Sequence, residues 1–244
     1  MNNGNITIIL PTKNHEAAIT ENITKLKEFL RSNYSNYQIL IMSNGSSIVN
    51  KELLEKIKKE VQGIEIHYLE KVGKGNAVKE GIGLSKYDHI VIFDSDFSYN
   101  IELLNKFYRN SIPRSSFIYV RRKITQNLFQ NTKVSRLVAG YLFNKILRIF
   151  LKVQSRDTQA GFKFIDKSKF TNCLDFISED YMYDVELFIL ANKLQIKPLA
   201  IEVETINSVE SSNIKLIEDS VKMFLSIYKL RKFYFDRDIN KLNS

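Results

Sequence analysis

The chain has 244 residues, 44% of them hydrophobic, and carries a formal net charge of +9. This length accommodates one α/β domain with a sizeable core. The single cysteine, Cys173, excludes an internal disulfide framework, and with three histidines beside it no zinc cluster can be drawn. The amino-terminal residues lack the pattern of a signal peptide, and no apolar stretch reaches the roughly 18 residues of a membrane span. We therefore expect a cytoplasmic protein.

Short apolar runs bounded by turn residues predict alternating strands and helices in the first part of the chain. The strands are predicted at 6–10, 38–42, 64–69 and 89–93, and the helices at 16–31, 51–61 and 73–84. Because the strands are unbroken apolar runs, this order predicts a parallel sheet that is covered on both faces.

The second part of the chain predicts fewer strands and longer helices. Helices are predicted at 100–110, 132–153, 181–194 and 214–235, and strands at 116–120, after the polar loop that begins at Asp157, and at 199–203. We find no internal repeat and no linker in the sequence, which predicts a single domain over residues 1–244.

The strand predicted at 89–93 ends in Asp94-Ser95-Asp96. Open α/β sheets place their ligands at the carboxyl ends of strands, and Mg²⁺ typically takes one or two protein carboxylates and completes its shell with phosphates and water. The pair therefore suggests a divalent metal shared with a phosphorylated substrate. A solvated turn is the alternative, since Asp and Ser both favour turns.

Two other strand ends carry related residue types. Gly73-Lys74-Gly75 opens a predicted helix, so its backbone N–H groups and the Lys74 ammonium could hold an anion there. Ser43-Asn44-Gly45 follows the second strand, where short polar side chains could read a nucleobase. Each is an ordinary turn when taken alone, but three such ends in one parallel sheet predict a nucleotide site.

The positive charge is concentrated in one part of the chain. Residues 103–156 contain no Asp or Glu but twelve Lys and Arg residues, which favours an anionic partner such as phosphate, nucleic acid or a membrane surface. The helix at 132–153 is apolar around most of its circumference, with Lys145, Arg148 and Lys152 on one side. This pattern suits a helix lying in a membrane interface; a core helix with one solvated face is the alternative.

A family resemblance connects these motifs. The opening strand with Pro11-Thr12-Lys13-Asn14 resembles that of inverting glycosyltransferases of family 2, which have the GT-A nucleotide-sugar fold. The segments 73–78, 94–96, 157–163 and 184–187 narrow the resemblance to dolichyl- or polyprenyl-phosphate glucosyltransferases, relatives of dolichyl-phosphate mannose synthases. The most specific of them is Asp157-Thr158-Gln159-Ala160-Gly161-Phe162-Lys163.

The resemblance implies an α/β GT-A fold, a mostly parallel Rossmann-like sheet flanked by helices with amphipathic interfacial and carboxyl-terminal helices. It implies a nucleotide-sugar-binding half (1–120), an acceptor half (121–205) and a carboxyl-terminal helical segment (206–244). The implied reaction moves a hexose, glucose or mannose, from a UDP- or GDP-sugar to a polyprenyl phosphate. The protein would work as a peripheral protein at the cytoplasmic membrane face, bound through the helix at 132–153.

The resemblance also assigns residues to roles. Asp94 and Asp96 would hold Mg²⁺ or Mn²⁺, and Asp157, Asp96 and Arg136 would be catalytic, with Asp157 orienting the acceptor or accepting a proton. The acceptor phosphate would bind Arg121, Arg136 and Gln159. The nucleotide sugar would contact Pro11, Lys13, His15, Asn44, Lys74, Asp94, Ser95, Asp96, Ser98 and Arg121.

The chain departs from the family pattern mainly around the nucleoside. Lys13 and His15 stand where the family has Tyr and Glu, and Ser43 and Asn44 stand where it has two aspartates; Asn213 replaces a lysine. A transferase with a soluble or glycan acceptor and a degenerate nucleotide-sugar-binding protein therefore remain as alternatives. A nucleic-acid-binding protein would leave Asp94, Asp96 and the Asp157 loop without a role, so we expect no nucleic acid partner.

Overall fold

The computed structural model describes residues 3–110, 115–123, 134–155, 157–170, 174, 176–203 and 216–236. The strands are β1 (Asn3–Thr12), β2 (Tyr34–Ser43), β3 (Glu65–Tyr68), β4 (His89–Phe93), β5 (Phe117–Arg122), β6 (Phe162–Asp166) and β7 (Leu199–Val203). The helices are α1 (Glu16–Asn33), α2 (Ile48–Glu60), α3 (Lys74–Leu84), α4 (Leu103–Asn110), α5 (Val134–Leu151), α6 (Lys167–Phe170), α7 (Tyr183–Lys193) and α8 (Leu216–Arg231), which continues into a π-helical turn (Lys232–Asp236).

The strands form one sheet in the order β3-β2-β1-β4-β6-β5-β7. All neighbouring pairs are parallel except those of β6, which runs antiparallel to β4 and β5. The predicted α/β fold with a mostly parallel sheet is confirmed. Because β6 is reversed, its amino end lies at the same edge as the carboxyl ends of β1, β2, β4 and β5. That edge is the position where the predicted motifs meet.

Each face of the sheet is covered by its own apolar core. Along β1 the side chains alternate between them: Ile8 and Leu10 belong to the core beneath α1, and Ile9 belongs to the core that contains α7. This alternation follows from the two-residue period of a strand. A strand with both faces buried has no polar face, which explains why the strands read as unbroken apolar runs.

Several element boundaries differ from the predictions. The fourth helix begins at Leu103 rather than at residue 100, because the Asn100 side chain accepts a hydrogen bond from the Glu102 N–H at 2.9 Å and forms a turn there. Helix α5 spans Val134–Leu151, and the predicted first residues at 132–133 lie outside the described part. Residues 204–215, which include Asn213, also lie outside it.

The surfaces of α5 and α8 combine exposed apolar and cationic side chains. Arg231 joins the two helices, because its guanidinium donates to the Phe150 carbonyl at 3.0 Å and lies over the Phe150 ring. We call the following exposed side chains on the two helices the α5/α8 surface: Tyr141, Leu142, Ile149, Phe150, Phe224, Leu225 and Tyr228. Among the described residues, no helix has the length and apolar character needed to cross a bilayer.

Candidate active site at the carboxyl edge of the sheet

The centre of the site is the pair of carboxylates after β4. Asp94 is partly buried and Asp96 is exposed. The Nζ atom of Lys74, the first residue of α3, lies 2.6 Å from the Asp94 Oδ1 atom. Burial alone would lower the pKa of Lys74, but the negative charges of Asp94, Asp184 and Asp96 raise this pKa above its ordinary value. Lys74 therefore stays cationic beside Asp94.

The loop that precedes β6 packs directly onto Asp94. The Asp94 N–H donates to the Gly161 carbonyl at 2.8 Å, just beyond the paired residues Phe93 and Phe162. A Cβ atom at Gly161 would overlap the Asp94 carboxylate. Glycine is thus required here by the close approach of the loop to the carboxylate. The sequence predicted both segments as site elements, and the structure brings them together.

Asp157, at the start of this loop, is bound by Arg122 at the end of β5. The Arg122 Nε and Nη2 atoms donate to the two Asp157 carboxylate oxygens, each at 2.9 Å, and the Arg122 backbone N–H donates to Oδ2 at 3.1 Å. The hydrogen bonds and charge of Asp157 raise the pKa of Arg122. A bidentate pair of this kind fixes the orientation of both side chains.

Tyr99 adds a buried phenol to the same region. Burial raises the pKa of Tyr99 to about 12, with smaller raising contributions from the charges of Asp157 and Asp94 and a lowering contribution from Arg122. The phenol is consequently neutral near pH 7. The charges of Asp94, Arg122 and Asp157 all shift the pKa of Tyr99, and the loop that begins at Asp157 bonds Asp94 through Gly161, so these groups lie in one region.

The Gly73-Lys74-Gly75 turn is packed against the segment before α7. Cβ atoms at Gly73 and Gly75 would overlap the backbone carbonyls of Glu179 and Ser178. The Asn76 N–H, in the first turn of α3, donates to the Glu179 carbonyl at 3.1 Å. The Asn76 N–H is thus used within the protein, the two glycines permit the close packing, and Lys74 supplies a positive charge at the start of the helix.

A buried ion pair supports the loop from below the sheet edge. The Lys163 Nζ atom lies 2.6 Å from Asp184 Oδ1 and donates to the Ala160 carbonyl at 2.6 Å. Both side chains are almost fully buried, so the pair is retained against a large desolvation cost. Its geometric effect is to hold the residue before Gly161.

The ends of β1 and β2 form a second polar cluster. The Asn44 side chain donates to the Thr12 carbonyl at 2.9 Å and accepts from the Gly73 N–H at 3.3 Å, which ties three elements together. Glu16, fully buried, accepts from the Ser46 hydroxyl. The second carboxylate oxygen of Glu16 and the Thr12 hydroxyl are buried without a hydrogen-bond partner. This cluster carries acceptor groups that a bound ligand could satisfy.

The other predicted site residues occupy varied positions. Ser95 is buried, and the Ser98 N–H donates to Asp96 Oδ1 at 3.0 Å. Arg121 pairs with Glu202 on β7 rather than with a site residue. Pro11 is buried, whereas Lys13, His15 and Gln159 are exposed, and Arg136 lies in α5 with its side chain outside the described part.

Sequence reasoning missed three residues of the site: Arg122, Tyr99 and Glu16. The parity of β5 contained a signal for Arg122, because Arg121 and Arg122 point to opposite faces of the sheet. Arg122 follows Ile118 and Val120, whose core also contains Phe162 at the loop. No sequence pattern distinguished Glu16 from an ordinary first-turn acid or Tyr99 from a core aromatic.

The residues present fit a divalent cation that is shared with a substrate. Asp94 Oδ1 is buried and, although the Lys74 ammonium is close, makes no hydrogen bond of good geometry. Among the described residues, no group of three or more Asp, Glu, His or Cys side chains could form a metal cage. Two carboxylates and substrate phosphates are the ligands that Mg²⁺ ordinarily takes.

Residues 7–174 match the family described as Glycosyl transferase family 2. A dolichyl-phosphate beta-glucosyltransferase of Dictyostelium discoideum is 22% identical over 250 residues, covering 94% of this chain and 74% of that protein. Glycosyltransferase AglD of Haloferax volcanii is 21% identical over 195 residues, covering 77% of this chain and 31% of that protein.

Solved structures show the same fold. Glucosyl-3-phosphoglycerate synthase from Mycobacterium tuberculosis, in complex with UDP, gives a TM-score of 0.67 at 16% identity, covering 93% of this chain and 80% of that one. A complex of that enzyme with Mn²⁺, UDP-glucose and glycerol 3-phosphate gives 0.62 at 14% identity, covering 94% and 79%. The sheet and its flanking helices are thus those of glycosyltransferase structures.

Proposed function

This chain belongs to glycosyl transferase family 2, and from this we propose that it transfers a hexose, glucose or mannose, from a nucleotide sugar to a polyprenyl phosphate. The observation that carries the proposal is the contact between the Gly161 loop and Asp94 at the carboxyl edge of the sheet. This contact brings the carboxylates after β4 close to the loop that begins at Asp157, which supports a site where the sugar donor and the acceptor phosphate meet.

The donor side is formed by the ends of β1, β2 and β4. We propose that Asp94 and Asp96 hold Mg²⁺ or Mn²⁺, and the Mn²⁺ complex of the structural neighbour supports a divalent ion. When bound, the ion would neutralise charge on the leaving nucleoside diphosphate. Lys74 adds a fixed positive charge beside Asp94. The nucleoside of a UDP- or GDP-sugar would contact the groups at the ends of β1 and β2: Pro11, Lys13, His15, Asn44, Ser95 and Ser98.

The acceptor side contains the cationic residues of the acid-free interval. We propose that Arg136 and Gln159 contribute to binding the acceptor phosphate, with Asp157 orienting the acceptor; Arg121 would join them only by exchanging its partner Glu202 for the phosphate. Phosphate oxygens pair well with guanidinium groups. A phosphate monoester is mostly ionised at neutral pH, so its oxygen can attack the sugar carbon without a strong base, while the carbon–oxygen bond to the diphosphate breaks.

The α5/α8 surface supports a lipid acceptor. Transfer of the exposed side chains Ile149, Phe224 and Leu225 from water into the apolar part of a membrane interface would be favourable. The same two helices also expose the cations Lys145, Arg148 and Lys229. These side chains would be attracted to the cytoplasmic leaflet, which is anionic. The relative from Dictyostelium, whose name specifies dolichyl phosphate, agrees with this acceptor class.

A small phosphorylated acceptor is the second candidate. It is favoured by the glycerol 3-phosphate present in the structural neighbour's complex. Such an acceptor needs the same phosphate-binding cations but makes no use of the α5/α8 surface. The two candidates therefore differ in whether apolar chain and membrane contribute to catalysis.

One assay tests these assignments. The full chain is incubated with Mg²⁺ or Mn²⁺, UDP- and GDP-linked glucose and mannose, and either a short polyprenyl phosphate or glycerol 3-phosphate, and nucleoside diphosphate release is measured. We expect release that depends on the lipid phosphate and falls to background in Asp94→Asn, which loses a carboxylate oxygen at the metal position. The matched control is Asp166→Asn. Asp166 lies at the opposite end of β6, where its carboxylate accepts a hydrogen bond from the Ser168 N–H. If no combination of nucleotide sugar and polyprenyl phosphate releases nucleoside diphosphate, the proposal is wrong.

A further inference from the structure

The Asp157 carboxylate accepts three hydrogen bonds from one neighbour, Arg122. Arg122 donates to it from Nε, from Nη2 and from the backbone N–H. A general base needs an oxygen that is free to accept the substrate proton within hydrogen-bond reach. Both Asp157 oxygens already accept from the Arg122 guanidinium, and Oδ2 also accepts from the backbone N–H, which disfavours this role.

The exposure of the pair points to the residue that meets a ligand. The Arg122 side chain is 39% exposed and the Asp157 side chain 12%. A guanidinium has five N–H groups in a planar fork, so the bonds from Nε and Nη2 to Asp157 leave the outer edge of Arg122 with N–H groups to donate. The carboxylate is thus the covered member of the pair, and the guanidinium is the accessible one.

We propose that Asp157 is a positioning residue that anchors Arg122, whose outer edge binds the phosphate of the acceptor. The inference rests on the proposed transfer to a phosphorylated acceptor and assigns Asp157 the orienting role. In the transfer step an ionised phosphate oxygen forms a bond to the sugar carbon, and the bond from that carbon to the diphosphate breaks with its electrons on the nucleoside diphosphate. No proton leaves the acceptor, so the step balances without a base.

The remaining groups around the pair agree with this division of roles. Tyr99 is a buried neutral phenol and cannot accept a proton near pH 7, since its pKa is raised to about 12. Asp94 lies against Gly161 and Lys74 on the donor side. Arg121, the neighbour of Arg122, extends to Glu202 on the other side of the strand. Lys163, which bonds the Ala160 carbonyl of the same loop, is buried, whereas Arg122 is bound by Asp157 and remains accessible.

The test compares Asp157→Asn, Arg122→Ala, Arg122→Lys and the double variant Asp157→Asn/Arg122→Ala, with Asp166→Asn as the matched control. Kinetics are measured with varied polyprenyl phosphate between pH 6 and 9. A second measurement needs no turnover: glycerol 3-phosphate is titrated into the full chain by calorimetry in the presence of Mg²⁺ and UDP. Thermal unfolding of each variant confirms that it is folded.

An anchoring role predicts that Asp157→Asn raises the acceptor KM about tenfold and changes kcat only a few-fold, with an unaltered pH dependence of kcat. Arg122→Ala should raise the acceptor KM in the same way, and the double variant should raise it no further than Arg122→Ala does. Arg122→Lys should also have the raised KM, because an ammonium lacks the planar fork of a guanidinium. Asp157→Asn should also weaken glycerol 3-phosphate binding.

A base predicts the opposite pattern. In that case Asp157→Asn lowers kcat by about 100-fold or more at an unchanged acceptor KM, removes one limb of the pH profile, and its effect adds to that of Arg122→Ala. This result overturns the inference. So does an Asp157→Asn variant that binds glycerol 3-phosphate as tightly as the wild type does. If the wild type does not turn over lipid phosphate, the proposed function fails, while the titration still decides the role of Asp157; no binding by the wild type overturns the inference as well.

Discussion

The Nζ atom of Lys74 lies 2.6 Å from the Oδ1 atom of Asp94, so an internal ammonium occupies one side of the proposed metal ligand. A divalent ion and this ammonium compete for the same negative charge. The competition has a measurable consequence for metal binding in the absence of nucleotide.

Replacing the ammonium should strengthen metal binding. We expect Lys74→Gln to bind Mn²⁺ about fivefold more tightly without nucleotide, because an ion pair of this kind is worth about 1 kcal/mol. Electron paramagnetic resonance of free Mn²⁺ measures this affinity. The control is Lys86→Gln, which removes a lysine paired with Glu65 at the same 2.6 Å, away from the site. Equal Mn²⁺ affinities for Lys74→Gln and wild type would contradict the prediction.

A methyl group at Gly161 should disturb the donor side. The added Cβ would overlap the Asp94 carboxylate, so Gly161→Ala must displace either the carboxylate or the loop. We expect activity to fall by tenfold or more and the free energy of unfolding to fall by about 1–3 kcal/mol. Turnover assays and urea unfolding measure the two effects.

Gly140→Ala provides the matched control for this substitution. Gly140 lies in α5 with no atom close enough to meet an added Cβ, and alanine favours a helix by up to about 1 kcal/mol over glycine. This variant should be as active as the wild type and slightly more stable. Equal behaviour of the two variants would show that the Gly161 contact is not needed.

Tyr99 should contribute a pH-dependent term to stability. Its pKa is about 12 in the folded protein and about 10 when unfolded. Because the folded value is raised, the stabilisation is fully present below pH 10 and is lost as the pH rises from 10 through 12. Phenylalanine cannot ionise. The free energy of unfolding of Tyr99→Phe should therefore fall over this interval by about 2–3 kcal/mol less than that of the wild type.

Urea unfolding at several pH values between 8 and 12 measures the difference. Tyr68 and Tyr183 also have raised pKa values, owing first to burial, but both are present in wild type and variant and cancel in the comparison. Tyr141→Phe, an exposed tyrosine on α5, serves as the control and should follow the wild type. Parallel curves for Tyr99→Phe and wild type would refute the prediction.

The α5/α8 surface should bind anionic vesicles. We expect the double variant Ile149→Ser/Leu225→Ser to bind vesicles containing phosphatidylglycerol at least about tenfold more weakly, since each exposed side chain loses apolar area for insertion. Vesicle co-sedimentation measures the affinity, and added salt should weaken binding by the wild type. Ile48→Ser/Val49→Ser, which alters exposed apolar side chains at the start of α2, should bind like the wild type. Equal loss in both double variants would argue against a specific surface.

The sequence predicted the succession of strands and helices along the chain, because strands buried on both faces are short unbroken apolar runs. The run 89–93 was identified with the same bounds as β4 (His89–Phe93), and the carboxylates after it lie at the predicted edge. Contacts between distant segments could not be read in this way. The overlap that forces glycine at Gly161 depends on the pairing of β6 with β4, which local patterns do not encode.

The same limit applies to charged partners. Asp157 and Arg122 are far apart in the chain, and the strand parity that selects Arg122 over Arg121 matters only once β5 is placed beside β6. The amide of Asn44, predicted to lie near a nucleobase, also donates to the Thr12 carbonyl and accepts from the Gly73 N–H, and neither partner could be predicted from the sequence. The hydrogen-bond and ion-pair partners of these polar groups are therefore set by tertiary structure and not by local sequence.

The reversed direction of β6 has a mechanical consequence. Its backbone ladder to β4, with Phe162 opposite Phe93, sets the separation of the proposed donor and acceptor groups through central strands of the sheet. A shift of this ladder by one residue would turn every β6 side chain to the other face, and Lys163 would lose Asp184. The distance across the proposed reacting centre is thus a property of the sheet itself, whereas α5, α8 and the loops outside this ladder can change without altering that distance.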